Sequence, residues 1–96
     1  MEDRAVVLLD EPFSALDALT RAQMQELTAE LLDGRTVLLV THDPNEAARL
    51  GETILIMTPT GLLEIAAPTS PIPRDIHAAD VLRAQADLFD HLRRPT

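Results

Sequence analysis

Val6-Val7-Leu8-Leu9-Asp10-Glu11-Pro12-Phe13-Ser14-Ala15-Leu16-Asp17 decides how the chain is read. Four apolar residues, two of them β-branched, run into two carboxylates and a short polar turn. An uninterrupted apolar run of this kind predicts a strand over Ala5–Leu9, buried on both faces in a parallel sheet. Ligands of such sheets gather at the carboxyl ends of the strands, where Asp10 and Glu11 fall. A carboxylate at a buried strand tip is costly unless a cation, water or hydrogen-bond donors meet it. A hard cation such as Mg²⁺ suits one carboxylate, and a second beside it can orient or deprotonate a water. An Asp-Glu pair after a strand also opens ordinary polar loops, so the pair alone leaves both readings open.

The next segments extend the pattern. Asp17 is a plausible helix start, and about Ala18 to Asp33 has helical periodicity, with Met24, Leu27 and Leu31 as a core stripe and Gly34 at the C′ position. Thr36-Val37-Leu38-Leu39-Val40 reads as a second all-apolar strand that ends at Thr41-His42. Strand, helix and strand in this order imply a parallel crossover. That brings His42 to the same sheet edge as Asp10 and Glu11. A lone histidine at a strand end is by itself more often structural than catalytic.

Asp43-Pro44-Asn45-Glu46 opens a short helix, with Asp43 as cap and Pro44 at the first helical position, and Gly51 closes it. Thr53–Thr58 and Leu62–Ala66 form an expected hairpin around Pro59-Thr60-Gly61. Pro68, Pro71 and Pro73 mark an extended linker. About His77 to Leu92 is an amphipathic helix with Val81, Leu82, Gln85, Leu88, Phe89 and Leu92 on one face, which packs on this chain or on a partner. His77 and His91 lack metal-ligand spacing and read as surface residues.

Composition narrows the function classes. The 96 residues suffice for one small domain, and cysteine is absent, which excludes disulfides and thiol chemistry. A formal net charge of −8 disfavours nucleic acid and anionic membrane as partners. No apolar run approaches spanning length and no signal peptide opens the chain, so no direct membrane insertion is expected and cytoplasmic residence is the default. All 8 basic residues are arginine, and with no lysine the phosphate-binding pattern Gly-x-x-x-x-Gly-Lys-[Ser/Thr] does not occur.

The string from Val6 to Asp17 resembles the Walker B motif and D-loop of ABC transporter ATP-binding proteins, and Val40-Thr41-His42-Asp43 looks like the switch-histidine loop of the same family. The resemblance covers residues 5 to about 58 well and the tail loosely. It implies an α/β fold: a partial P-loop NTPase (RecA-like) core with parallel strands, a terminal β-hairpin and a C-terminal amphipathic helix. Residues 1–67 would be the carboxyl-terminal part of the ATPase domain, 68–76 a Pro-rich linker and 77–96 the C-terminal helix. By the same resemblance the cofactors are ATP and Mg²⁺. Asp10 would hold the metal, and Glu11 would polarise the attacking water. His42 would contact the γ-phosphate, and Ser14 and Asp17 would line the nucleotide-site seam of the dimer. The implied partners are a second ATPase subunit, head to tail, and membrane permease subunits at the inner face of the cell membrane. The short tail resembles the nitrate, sulfonate, taurine and thiamine-precursor importers.

In that family the P-loop and the Gly-rich signature precede Walker B, so the chain's start is expected to fall inside the family's domain. The rival expectation is a non-enzymatic remnant, or a half that completes a separately encoded P-loop half. The family's P-loop strand lies between the switch-histidine strand and the next one. Thr36–Val40 and Thr53–Thr58 are therefore expected in one sheet plane without direct pairing, or else closed up abnormally.

Overall fold

The computed structural model describes residues 6–93. Seven elements follow one another: β1 (Val6–Asp10), α1 (Ala18–Leu31), β2 (Thr36–Val40), α2 (Pro44–Leu50), β3 (Ile54–Thr58), β4 (Gly61–Ile65) and α3 (Ala79–Arg93). Every expected element is present, with ends shifted by a residue or two. Ala5, expected to open β1, and the last residues of the expected C-terminal helix lie outside the described residues. The chain forms two compact units, residues 1–42 and 43–96.

In the first unit β1 and β2 pair in parallel, with Val6 opposite Thr36, Leu8 opposite Leu38 and Asp10 opposite Val40. The β-branched residues of both runs suit this extended pairing, and α1 makes the connection that a parallel pair needs. The Asp17 carboxylate caps α1 by accepting from the Thr20 N–H at 2.8 Å, so Asp17 is the helix start that the sequence suggests. At the other end the Arg35 N–H donates to the Leu32 carbonyl at 3.0 Å, with Gly34 inside the turn at φ +81. The helix cap is Leu32, so Gly34 sits one residue beyond the expected C′ position. Its role is the left-handed turn residue rather than the helix stop itself.

Burial in this unit departs from expectation. Val6, Leu8, Val37, Leu38 and Val40 are exposed rather than buried on both faces, and so are Met24, Leu27 and Leu31 of the expected core stripe. Gln25, which lies off that stripe, is buried instead, and Phe13 is the other buried side chain among the described residues of this unit. The reason is geometric. Two strands and one helix offer too little apolar surface to cover both faces of the sheet and the helix stripe together.

In the second unit β3 and β4 form an antiparallel hairpin, with Ile54 opposite Ile65, Ile56 opposite Leu63 and Thr58 opposite Gly61. Alternation puts Ile54, Ile56 and Ile65 into a core with Leu88 of α3, flanked by Ala47 and Ala67. A second cluster joins Ala48 of α2 to Val81 and Ala84 of α3. The small residues on α2 let the two helices approach closely. Gly51 caps α2, and the crowding there suits glycine, since a Cβ would lie 2.9 Å from the Ala47 carbonyl oxygen. Of the face expected on α3, Val81 and Leu88 are buried and Gln85 is half-buried, while Leu82, Phe89 and Leu92 are exposed. The sheets are two separate pairs, β1-β2 and β3-β4, and no ladder joins β2 to β3 among the described residues.

The segment expected as an extended linker is tied down by Arg74. This guanidinium, 4% exposed, donates to the carbonyls of Pro68 (2.6 Å), Ser70 (2.8 Å), Ala48 (3.0 Å) and Gly51 (2.7 Å). Its backbone N–H donates to the Arg49 carbonyl at 3.1 Å, and Arg49 Nε donates back to the Arg74 carbonyl at 2.7 Å. The cation therefore also caps the carboxyl end of α2, the favourable end for positive charge. Burial lowers the guanidinium pKa, against the pull of Asp80 and Glu52.

Candidate functional site

Asp10 is the last residue of β1, and β2 ends beside it at Val40. The Glu11 N–H donates to the Val40 carbonyl at 2.8 Å, which carries the pairing one residue past both strands. Glu11 then turns into the left-handed region at φ 51, uncommon for a residue with a side chain. This turn sends its carboxylate along the sheet edge toward the end of β2. Oε1 accepts the His42 N–H at 2.8 Å and lies 2.9 Å from His42 Nδ1. The His42 side chain is otherwise open, 86% exposed, against 28% for Glu11.

The structure thus brings Glu11 and His42 into contact and sets Asp10 at the same edge, exposed to solvent. With Nδ1 facing the carboxylate, the rest of the His42 ring is left toward solvent. A carboxylate held by a backbone N–H and a ring nitrogen is a fixed acceptor that can orient a water.

The loop after Glu11 is closed on itself. Ser14 donates to the Glu11 carbonyl through its N–H (3.4 Å) and its hydroxyl (3.2 Å), and the Leu16 N–H donates to the Phe13 carbonyl at 3.2 Å. Ser14 is exposed on this loop and Asp17 caps α1 behind it. Two hydrogen bonds from the Thr20 backbone and side chain, with a smaller pull from Arg21, hold the Asp17 carboxyl below its ordinary value, and burial opposes them. Asp43, expected as a cap rather than a catalyst, does cap α2, accepting the Asn45 N–H at 3.0 Å.

The residues fit the implied cofactors unequally. No cluster of three His, Cys, Asp or Glu among the described residues could hold a metal ion. Asp10 offers one hard oxygen donor, which suits Mg²⁺ only where phosphate oxygens and waters complete the shell. For the triphosphate the fit fails within this sequence, because no lysine and no Gly-rich phosphate loop is present. No helix of the described residues is long and apolar enough to cross a membrane.

Sequence reasoning missed Arg21 and Arg74. The targets of both are backbone carbonyls assembled by folding, and the only signal in the sequence was the persistence of arginine in a strongly acidic chain.

A parallel α/β unit with an acidic and histidine-bearing carboxyl edge is the class of protein that these elements define. Its homologues are ABC transporter ATP-binding proteins. An uncharacterized ABC transporter ATP-binding protein of Haemophilus influenzae is 43% identical over 96% of this chain and 40% of its own length. An aliphatic sulfonates import ATP-binding protein of Nocardia farcinica is 43% identical over 91% of this chain and 36% of its own length. A taurine import ATP-binding protein of Roseobacter denitrificans is 49% identical over 59% of this chain and 22% of its own length. The chain thus spans at most 40% of the length of these curated relatives. No protein-family model matches, and no solved structure matches.

Proposed function

We propose that the chain acts as the carboxyl-terminal part of the ATP-binding subunit of an ABC-type importer, which couples ATP hydrolysis to uptake of a solute through a membrane permease. The fold in this reading is part of a P-loop NTPase (RecA-like) core. Residues 1–67 belong to the ATPase domain, 68–76 form a Pro-rich linker and 77–96 a C-terminal helix. The observation that carries the reading is the Glu11–His42 contact at the carboxyl edge, 2.9 Å between Oε1 and Nδ1, in a chain homologous to this family.

In this role Glu11 polarises the attacking water and His42 presents its free ring nitrogen to the γ-phosphate. Asp10 supplies a ligand, directly or through water, to the nucleotide's Mg²⁺. Ser14 and Asp17 lie at the seam with a second ATPase subunit. Mg-ATP, when bound, supplies the phosphoanhydride that is cleaved. The relatives' names, which specify import of aliphatic sulfonates and of taurine, support an organosulfonate as the solute. A place at the cytoplasmic face of the cell membrane, against permease subunits, goes with the importer role.

The exposed apolar residues of β1, β2 and α1 favour a second reading within the first: this polypeptide works as a half that needs a P-loop- and signature-bearing half to cover it. Triphosphate affinity needs backbone N–H groups and a lysine around the phosphates. The test is phosphate release from Mg-ATP by the 96-residue chain alone, and again with a P-loop- and signature-bearing segment of an ABC ATP-binding protein, fused or in trans. Turnover is expected only in the supplemented protein and only with Glu11 intact. Glu11-dependent turnover by the chain alone would mean a phosphate site built from other residues. A folded, supplemented protein without turnover would leave the remnant reading.

A further inference from the structure

We infer that Arg21 is a positioning residue for Glu11, acting through the loop that joins β1 to α1. The inference rests on reading Glu11 as the water-orienting carboxylate. Arg21 lies in the amino-terminal part of α1, yet its guanidinium folds back over the preceding loop. Nε donates to the Phe13 carbonyl at 3.2 Å and Nη2 to the Leu16 carbonyl at 2.7 Å.

A cation near a helix amino terminus is on the unfavourable side of the helix dipole. The Asp17 carboxylate at the N-cap offsets this in part through its attraction to Arg21. The two carbonyls add to it, and bonds from a charged donor are the stronger kind. A planar fork is also the donor geometry that spans two carbonyls at once, which a lysine cannot copy.

The loop that Arg21 grips leads straight to Glu11. The Phe13 carbonyl takes both the guanidinium and the Leu16 N–H, and the Phe13 side chain is buried, 4% exposed. One residue on, Ser14 is bonded to the Glu11 carbonyl by its N–H and its hydroxyl. Glu11 itself holds φ 51, a conformation that persists in a non-glycine residue only where the surroundings over-determine it. The Val40 carbonyl fixes Glu11 from the strand side, and the Arg21-gripped loop fixes it from the other. Its carboxylate then arrives at His42. Releasing the loop frees the Glu11 backbone to leave the left-handed region and swings the carboxylate off the His42 N–H.

Amide hydrogen exchange by NMR on the 96-residue chain tests this with Arg21→Met and Arg21→Lys. The informative amides are Leu16 in the loop and His42 on the far strand, whose N–H meets the Glu11 carboxylate. Both should exchange roughly tenfold faster in Arg21→Met, as expected for losing one or two charge-assisted bonds, while the interior of α1 stays protected. A purely local role would free Leu16 and leave His42 unchanged, and that result overturns the inference, as does no change at either amide. Should Arg21→Met loosen α1 as a whole, Arg21→Lys, which keeps the stem and the charge but not the fork, is read at the same two amides by the same criterion. The ATPase reading fails independently, through absent Glu11-dependent phosphate release in the supplemented protein with the amide result standing.

Discussion

Glu11 Oε1 meets His42 twice, 2.8 Å from the backbone N–H and 2.9 Å from Nδ1, across the carboxyl ends of two parallel strands. The backbone contact fixes where the carboxylate sits, and the ring contact fixes how the imidazole turns. Glu11→Gln keeps an oxygen that can accept the His42 N–H but removes the charge that polarises a water. In the supplemented protein it should lower phosphate release roughly 10²–10⁴-fold with little change in melting temperature. Steady-state release and thermal unfolding followed together check this. A fall in both would assign Glu11 to the fold and not to the chemistry.

Acid should loosen the start of α1 through Asp17. The Thr20 backbone and side-chain bonds, aided by Arg21, hold this carboxyl below its ordinary value of 3.8 in the folded chain. A carboxyl whose folded pKa is depressed contributes its full stabilisation above the unfolded value. That contribution fades as pH falls from there through the folded value. Asp17→Asn keeps a capping oxygen and does not titrate. Far-UV circular dichroism from neutral pH downward should show the wild-type advantage over Asp17→Asn shrinking below about pH 3.8. A constant difference across the titration would rule the carboxylate out as the source.

Element order, the parallel pair, both aspartate caps and the shared edge of Asp10, Glu11 and His42 were all legible in the sequence. They depend on local chemistry and on one crossover rule, and both act within short stretches of chain. Burial was not legible. The Met24, Leu27 and Leu31 stripe and the two-sided apolar strands state which surfaces want cover, whereas exposure depends on what is present to cover them. The left-handed Glu11 was hidden for a related reason. No residue type at this position signals it, and the bonds that accompany it include one to His42, 31 residues away.

Arg74 should matter more to the second unit than any one apolar residue. Replacing it with methionine strips the donor from the carbonyls of Pro68, Ser70, Ala48 and Gly51, with Pro68 and Ala48 themselves buried. Each buried acceptor left unmet costs about 1–3 kcal/mol. With two such acceptors buried, Arg74→Met is expected to destabilise by at least about 2 kcal/mol, a large share of a small domain's stability. Arg74→Lys should recover only a part, because one ammonium cannot reach four carbonyls. Urea unfolding followed by circular dichroism measures both, since the chain has no Trp or Tyr to report by fluorescence. Equal midpoints for Arg74→Met and wild type would refute the assignment.

The bare face of the first sheet makes the final prediction. Val6 and Leu8 on β1 and Leu38 and Val40 on β2 share that face by alternation and register, at 59%, 62%, 54% and 42% exposure. Fully burying one such side chain contributes roughly 1.5–3 kcal/mol, so together they favour any surface that covers them. The unpaired outer edges of β1 and β2 among the described residues add backbone donors and acceptors to that attraction. The isolated chain should therefore self-associate as its concentration rises. Leu38→Lys should shift the association to higher concentration, because a charge at the centre of the patch must be desolvated for the face to close. The P-loop-bearing segment should compete with self-association for the same face if it supplies the natural cover. Sedimentation velocity across a concentration series, with and without that segment, reads all three effects. A wild-type chain that sediments as a monomer throughout would show that this face has no drive to be covered, and the half-domain reading would lose its physical basis.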